Sequence, residues 1–476
     1  MNKTMSSFAQ ATTSRRAFLR NLALLTGAYT MTTVVACQPG AAGGGQGGTV
    51  PPGGDAETTD VTTLRVWGYG LDDARAQARV AEFQNANTAI TLEPVGGALN
   101  TQQLLTAVAS GDPPEVINVD RSQTGSWAAR GAIDPLDDLI SRDQFDPSQF
   151  YPVTVQQVTY NGQVYGVPQF VNLDLIFMNL DAFAEAGIDP ASVDPSDWQL
   201  LQDLGAQLHQ MEGNQLIRTG FDTKMQDGRL WLWSWANGTT LISEDGSTAN
   251  FTDPQVIETL TWGKETVDRQ GGEQARAAFS QAQNFFSAQN PVLIGQIAMT
   301  VFEQWLMGVM KVDPDANFRT LLPRMRNSAE TLTDATGAAF AIPRGVEAAA
   351  RDAAWEFIKG MTSSTAWIAG EQATAAQNEA EGAPYHPTIT GNIAADQEAW
   401  NTIYQGISAG YDETVRLLPE ALQVARVRYS GPVAATIQEL MTAAVNDALQ
   451  GAKTPEEALT QLQEQAQQAI DEFQAG

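Results

Sequence analysis

Cysteine is nearly absent from this chain. Cys37 is the single one among 476 residues, so no disulfide can form within one molecule. Histidine is almost as scarce, with only His209 and His386. No HExxH pair, Cys/His cluster, Walker loop or GxSxG elbow occurs, and no GxGxxG fingerprint follows a predicted strand. Those gaps leave no sequence signal for a metal site, a nucleotide cofactor or a serine nucleophile. Basic residues are in deficit, 27 Lys and Arg against 55 Asp and Glu, for a formal charge of −28. A surface that acidic repels nucleic acid and anionic lipid and serves solubility. Hydrophobic content of 43% and a length of 476 residues suit a globular protein of two or three domains.

Long apolar runs are lacking too. The longest, Leu22 to Ala36, is too short and too polar to span a bilayer, but it fits the apolar region of a signal peptide. It follows SRRAFLR at residues 14–20, which resembles a twin-arginine export motif with Arg15 and Arg16 as the pair. It ends in Val34-Val35-Ala36-Cys37, which resembles a bacterial lipobox. The lone cysteine stands where that motif requires one. Acylation there would anchor the chain, each buried CH₂ contributing about 0.8 kcal/mol. Residues 38–60 are rich in Gly, Pro and Ala with no periodic apolar face, the composition of a tether. The expected divisions are a signal peptide over 1–36 and a lipidated tether over 37–60, and then the folded body.

From Val61 the pattern alternates strand and helix. Strands are predicted at Leu64–Trp67, Ile90–Val95 and Glu115–Val119, with helices over 72–86 and 101–109 between them. Such alternation implies parallel strands with right-handed crossovers, and ligands bind beyond their carboxyl ends. That rule singles out Trp67 and Tyr69 after the first strand, and Asp120 and Arg121 after the third. Trp67 could equally cap a core, and Asp120 could pair with Arg121 at the surface. Pro168 fixes its own φ and extends Val167, so residues 167–172 read as an extended crossover that sets Gln169, Asn172 and Asp174 to meet a ligand, with an ordinary interior strand with polar ends as the alternative. Residues 229–238, RLWLWSWANG, hold Trp231, Trp233 and Trp235. In a strand the three share a face; in a helix Trp231 and Trp235 pair and Trp233 diverges. Core packing would explain any one of them, but indole faces also stack on sugar rings, which makes Trp233 and Trp235 candidates. Residues 334–343 read as a second crossover with Gly337 allowing close backbone approach, and 384–387 as a third with Tyr385 at the cleft. Tyr411 and Tyr429 are weaker candidates. Thr454, Pro455 and Glu457 mark the start of the last helix.

Taken in order, LRVWGYG, GDPPEVINVDRS, WAARGAIDPLDDLI, YNGQVYGVP, Ile297-Ala298-Met299-Thr300 before Trp305, GAAFAIPRG and GAKTPEEAL resemble the bacterial extracellular solute-binding proteins, specifically the family-1 sugar-binding lipoproteins of ABC importers. The landmarks span about residues 64–470. The resemblance implies an α/β, two-lobed periplasmic-binding-protein fold of type II. Each lobe would be a mainly parallel sheet flanked by helices, joined to the other by crossing hinge strands. Lobe 1 would hold residues 61–169 and about 337–384, and lobe 2 about 172–334 and 388–476. By position in the family motif, Trp305 matches a ligand-stacking aromatic. Glu303 stands where relatives often have glycine, and Asn172 where relatives carry an acidic ligand-binding group.

The function implied is capture of a carbohydrate between the lobes and its delivery to the permease subunits of an importer. The protein would be monomeric, lipid-anchored at the outer face of the plasma membrane or periplasmic, and would need no cofactor or metal. Trp67, Trp305 and Trp233 or Trp235 would stack on the ligand, while Asp120, Arg121, Asn172 and Asp174 would bond its hydroxyls. A non-sugar solute such as a polyol phosphate, polyamine or peptide is the alternative within binding. A glycan-cleaving enzyme using Asp120 and Asp174 is the alternative from another class.

Overall fold

The computed structural model describes residues 61–475. The export motif at Arg15 and Arg16, Cys37 and the tether lie outside them. In chain order the strands are β1 (Thr62–Trp67), β2 (Ile90–Val95), β3 (Val116–Asp120), β4 (Thr159–Tyr160), β5 (Gln163–Val164), β6 (Val167–Pro168), β7 (Asn172–Asn179), β8 (Gln210–Glu212), β9 (Gln215–Asp222), β10 (Ile297–Glu303), β11 (Phe318–Leu321), β12 (Thr333–Thr336), β13 (Ala338–Ala341) and β14 (Ala425–Arg426). They form one sheet in each lobe and the small β4–β5 hairpin.

Lobe 1 is the sheet β2-β1-β3-β13-β6. Its helix Ala74–Ala86 begins at Asp73, whose side chain accepts from the Ala76 N–H, and helix Thr101–Ser110 ends at Gly111 in the left-handed region. Helix Ala348–Thr362 covers the sheet with Trp355, Phe357 and Ile358, all buried against Leu64, Val66 and Phe340. Lobe 2 is the path β14-β12-β7-β10-β9-β8, with β11 also paired to β7. Its core gathers Trp198, Trp233, Trp262 and Phe221, and Trp198 stacks on Trp262 with ring centroids 4.3 Å apart. The last helix, Pro455–Ala475, opens with a capping box: the Glu457 N–H donates to Thr454 Oγ1 at 3.2 Å, and the Thr454 N–H donates to Glu457 Oε2 at 2.9 Å.

Strand directions are more mixed than strand–helix alternation predicts. β1 pairs in parallel with β2 and β3, and β9 with β10. However, β13 runs against β3 and β6, and β7 runs against β10, β11 and β12. The reason is topological. β7 and β13 are the strands on which the chain arrives from the opposite lobe, so they enter each sheet against the local direction.

The crossovers meet at one place. The chain passes from β6 through Gln169, Phe170 and Val171 into β7, and from β12 through Gly337 into β13. A third segment joins them where Ile389 bridges to Val171. Gly337 has a φ of +139°, and a Cβ there would overlap the Phe170 carbonyl oxygen, so only glycine lets the two crossovers touch. Among the described residues no helix is long and apolar enough to cross a membrane, and no cluster of metal-ligating side chains occurs.

Candidate functional site

A cleft lies between the lobes, made of three adjoining cavities. The floor cavity, about 540 Å³, sits on the crossovers between Gly68, Asn118 and Asp120 of lobe 1 and Asn172, Arg229 and Glu303 of lobe 2. A second of about 540 Å³ opens between Ser126 and Trp127 on one side and Trp231, Tyr429 and Glu439 on the other. The third, about 1200 Å³, lies between Tyr160 of the β4–β5 hairpin and Trp231, Trp235 and Tyr429. Arg428 lines all three.

Local sequence explains how these side chains arrive. Residues Leu230–Ala236 form a helix, so Trp231 and Trp235 project together, ring centroids 5.9 Å apart, and both border the cleft. Trp233 points the other way and is fully buried, its indole N–H donating to the Thr223 carbonyl at 2.9 Å. Arg229 precedes that helix. It grips Asp174 of β7 with two bonds, Nη2 to Oδ1 at 2.8 Å and Nε to Oδ2 at 3.0 Å. Arg428 follows β14 and donates to Asp334 of β12 from Nε at 2.6 Å. Both aspartates are buried below the cleft while both arginines border it.

The charge state of this floor follows from burial. Desolvation pushes the Asp334 carboxyl up to about 6, against the pull of Arg428 and with the repulsion of Asp174. Its Oδ1 has no hydrogen-bond partner. Burial also works against the Arg229 charge, yet Asp174 outweighs it and holds the guanidinium above its ordinary range. Glu303 Oε1 lies 3.6 Å from Arg229 and accepts from the Thr336 hydroxyl at 2.9 Å. The two arginines therefore reach the cleft already neutralised.

The residues singled out from the sequence divide. Asp120, Asn172 and Trp235 border the cleft. Asp120 is exposed, and its Oδ1 accepts from the Ser122 N–H and hydroxyl at 2.8 Å each. Asp174 lies beneath the floor, its carboxylate occupied by Arg229. Trp305 packs beside the floor among Phe285, Phe286 and Phe302, its indole N–H on Glu303.

Beyond Asp174 and Trp305, which line none of the three cavities, five placements differ from expectation. Tyr69 is in the lobe 1 core, edge-on to Phe340, because the chain bends at Gly68 and turns the ring inward. Trp67 packs half-buried on the lobe 1 core beside a shallow groove with Arg65 and Asn100, the core-capping alternative. Trp233 is core because the segment is a helix rather than a strand. Tyr385 donates to the buried Glu371 at 2.7 Å, within a network that includes Arg75. Arg121 is fully buried without a carboxylate partner. Its Nη1 donates to the Phe170 carbonyl, its Nη2 to the Thr336 carbonyl at 2.6 Å and its Nε to Gln157 Oε1 at 3.0 Å. Burial brings the guanidinium down to about 10. Arg121 thus binds the two crossovers to each other and, fully buried, offers no face to a ligand.

Sequence reasoning passed over Trp127, Trp231, Arg229 and Arg428. Trp231 had a signal in its i, i+4 spacing to Trp235. Arg229 and Arg428 had none, since their partners are 55 and 94 residues away.

Comparison with known proteins agrees with this architecture. Residues 67–366 match the bacterial extracellular solute-binding protein family. The sn-glycerol-3-phosphate-binding periplasmic protein UgpB of Salmonella typhimurium is 29% identical over 157 residues, which cover 31% of this chain and 36% of that protein. The alignment therefore spans about a third of that relative's length. Among solved structures, CpMnBP1 with mannobiose bound superposes with a TM-score of 0.70 at 21% identity, over 85% of this chain and 99% of that one. UgpB from Mycobacterium tuberculosis in complex with glycerophosphocholine gives 0.68 at 17%, over 87% and 99%. At such identities the likeness concerns the fold. By the extent of the family match and by its two-lobed architecture, this chain belongs to the bacterial extracellular solute-binding proteins.

Proposed function

We propose that this protein binds a carbohydrate in the interlobe cleft and delivers it to the permease subunits of an ABC importer. In this reading it acts outside the cytoplasm, tethered to the membrane through an acylated Cys37, and as a monomer. The observation that carries the ligand class is the lining. Trp127, Trp231 and Trp235, only 4%, 4% and 5% exposed, and the half-buried Tyr429 border the cleft beside arginines whose charge Asp174 and Asp334 already cancel. Aromatic planes suit the C–H faces of sugar rings, and paired charges offer directed hydrogen bonds without demanding a charged ligand. The binding role is favoured over glycan cleavage, because Asp174 is sequestered by Arg229, and Glu303, the carboxylate that shares the floor cavity with Asp120, is engaged by Thr336, Trp305 and Arg229.

A second reading, a phosphate ester of a polyol, draws on Arg229 and Arg428 at the floor and on the glycerol-phosphate ligands in the names of the relatives. Calorimetric titration with mannobiose, maltose, sn-glycerol 3-phosphate and glycerophosphocholine separates the two. Binding confined to the sugars supports the first reading. Binding confined to the phosphate esters replaces it with the second.

A further inference from the structure

The lobes touch each other directly at a point away from the crossovers. Helix Thr124–Ala129 of lobe 1 lies against residues 430–435 of lobe 2. A Cβ on Gly125 would overlap the Ser430 carbonyl oxygen and stand 2.9 Å from its carbon and 3.2 Å from Gly431 Cα. Gly125 is not in the left-handed region, so its own helix does not require glycine; the approach of the other lobe does. Ser126 is buried, its hydroxyl donating to the Gly431 carbonyl at 3.0 Å and lying 3.4 Å from the Ala435 N–H. Ala435 is in the first turn of helix Ala434–Leu449, whose N-cap residue, Val433, has no side-chain oxygen to offer. A helix start leaves its first N–H groups without partners inside the helix. Ser126 supplies one such partner from the opposite lobe.

We propose that Gly125 and Ser126 with Ser430, Gly431 and Ala435 form a latch that holds the lobes together without a ligand bridging them. Tyr429 steadies the lobe 2 half, since its ring lies where a Cβ on Gly431 or Gly246 would be. The latch rests on the solute-binding reading for its purpose, but not for its existence. It makes closure a property of the protein, so that the ligand tips a balance the chain has already set.

The test measures the distance between labels on the two lobes in the full chain with Cys37→Ser. Labels go on Glu93→Cys in lobe 1 and Glu464→Cys in lobe 2, both exposed sites. Ligand-free protein should show a short-distance population. Gly125→Leu should abolish it with circular dichroism unchanged, and Ser126→Ala, which adds no volume, should lower it about threefold, as expected for one hydrogen bond. A short-distance population unchanged in both variants, or absent from the ligand-free parent, overturns the latch. If sugars leave the distances and the melting point untouched while Gly125→Leu opens the protein, the carbohydrate reading fails and the latch stands.

Discussion

The two walls of the cleft are built from different material. At the floor lobe 1 presents Gly68, Gly97, Ala98, Asn118 and Asp120, small or short side chains, with Trp127 and Tyr160 as its aromatic members along the cleft. Lobe 2 presents Trp231, Trp235, Arg229, Arg428 and Tyr429. Two of the three cleft tryptophans and both arginines of the floor cavity are thus on lobe 2, and the lobe 1 floor is shaped to come near. The arginines nearest the cleft floor divide the same way. Those of lobe 2 are matched by carboxylates, whereas Arg121 of lobe 1 is solvated by neutral carbonyls at the crossovers. The contrast is the ground for proposing that lobe 2 supplies most of the recognition and lobe 1 the close approach.

The sharpest way to break that contrast is to unbalance a charge pair. Arg428→Ala leaves Asp334 buried and unpaired and should cost about 3–5 kcal/mol in urea unfolding, and adding Asp334→Asn should recover part of it. Arg121→Met strips the Phe170 and Thr336 carbonyls of their donor and should cost about 2–3 kcal/mol, with no rescue from any carboxylate substitution. Recognition is probed next. Trp231→Ala or Trp235→Ala should each weaken sugar binding about tenfold, about 1.4 kcal/mol, while Trp233→Phe lowers stability and leaves affinity alone. On the opposite wall, Asp120→Asn should change affinity by no more than about threefold, as a solvent-facing group does. Equal losses from the two walls would refute the division of labour.

Acidity gives a fourth handle on the lobe 2 floor. Asp334 has a folded value of about 6 against 3.8 in the unfolded chain, so the native state holds its proton longer. The stability linked to that proton is whole below about 3.8 and is lost as pH rises through about 6. Unfolding free energy should therefore fall between pH 4 and 6.5, and Asp334→Asn should flatten part of the slope. Asp396, pushed by burial to about 7, contributes in the same direction and should keep the remainder.

Much of the fold was legible because its signals are local. Asp73, Gly111, Thr454 and Glu457 mark helix ends within a few residues, and Pro168 and Gly337 mark the crossovers. Strand direction was less legible, since the reversal of β7 and β13 depends on which lobe the chain comes from. The cleft was read only in part. Asp120, Asn172 and Trp235 border it, but Tyr69 and Trp233 are turned into cores by the local backbone. Arg121 looks like a ligand group in one dimension, and only the meeting of residues 170, 336 and 338 shows its use.

Because Arg121 ties both crossovers together and Gly337 lets them touch, the joint behaves as a bearing rather than a leash. Crossovers pinned at one point, with the segment at Ile389 bridged to Val171 beside them, resist sliding of the lobes more than rotation about the pin. Lobe motion should then be mostly rotation about that point. Loosening the pin with Arg121→Met should add wobble to that swing, visible as a broader label-distance distribution in the open state.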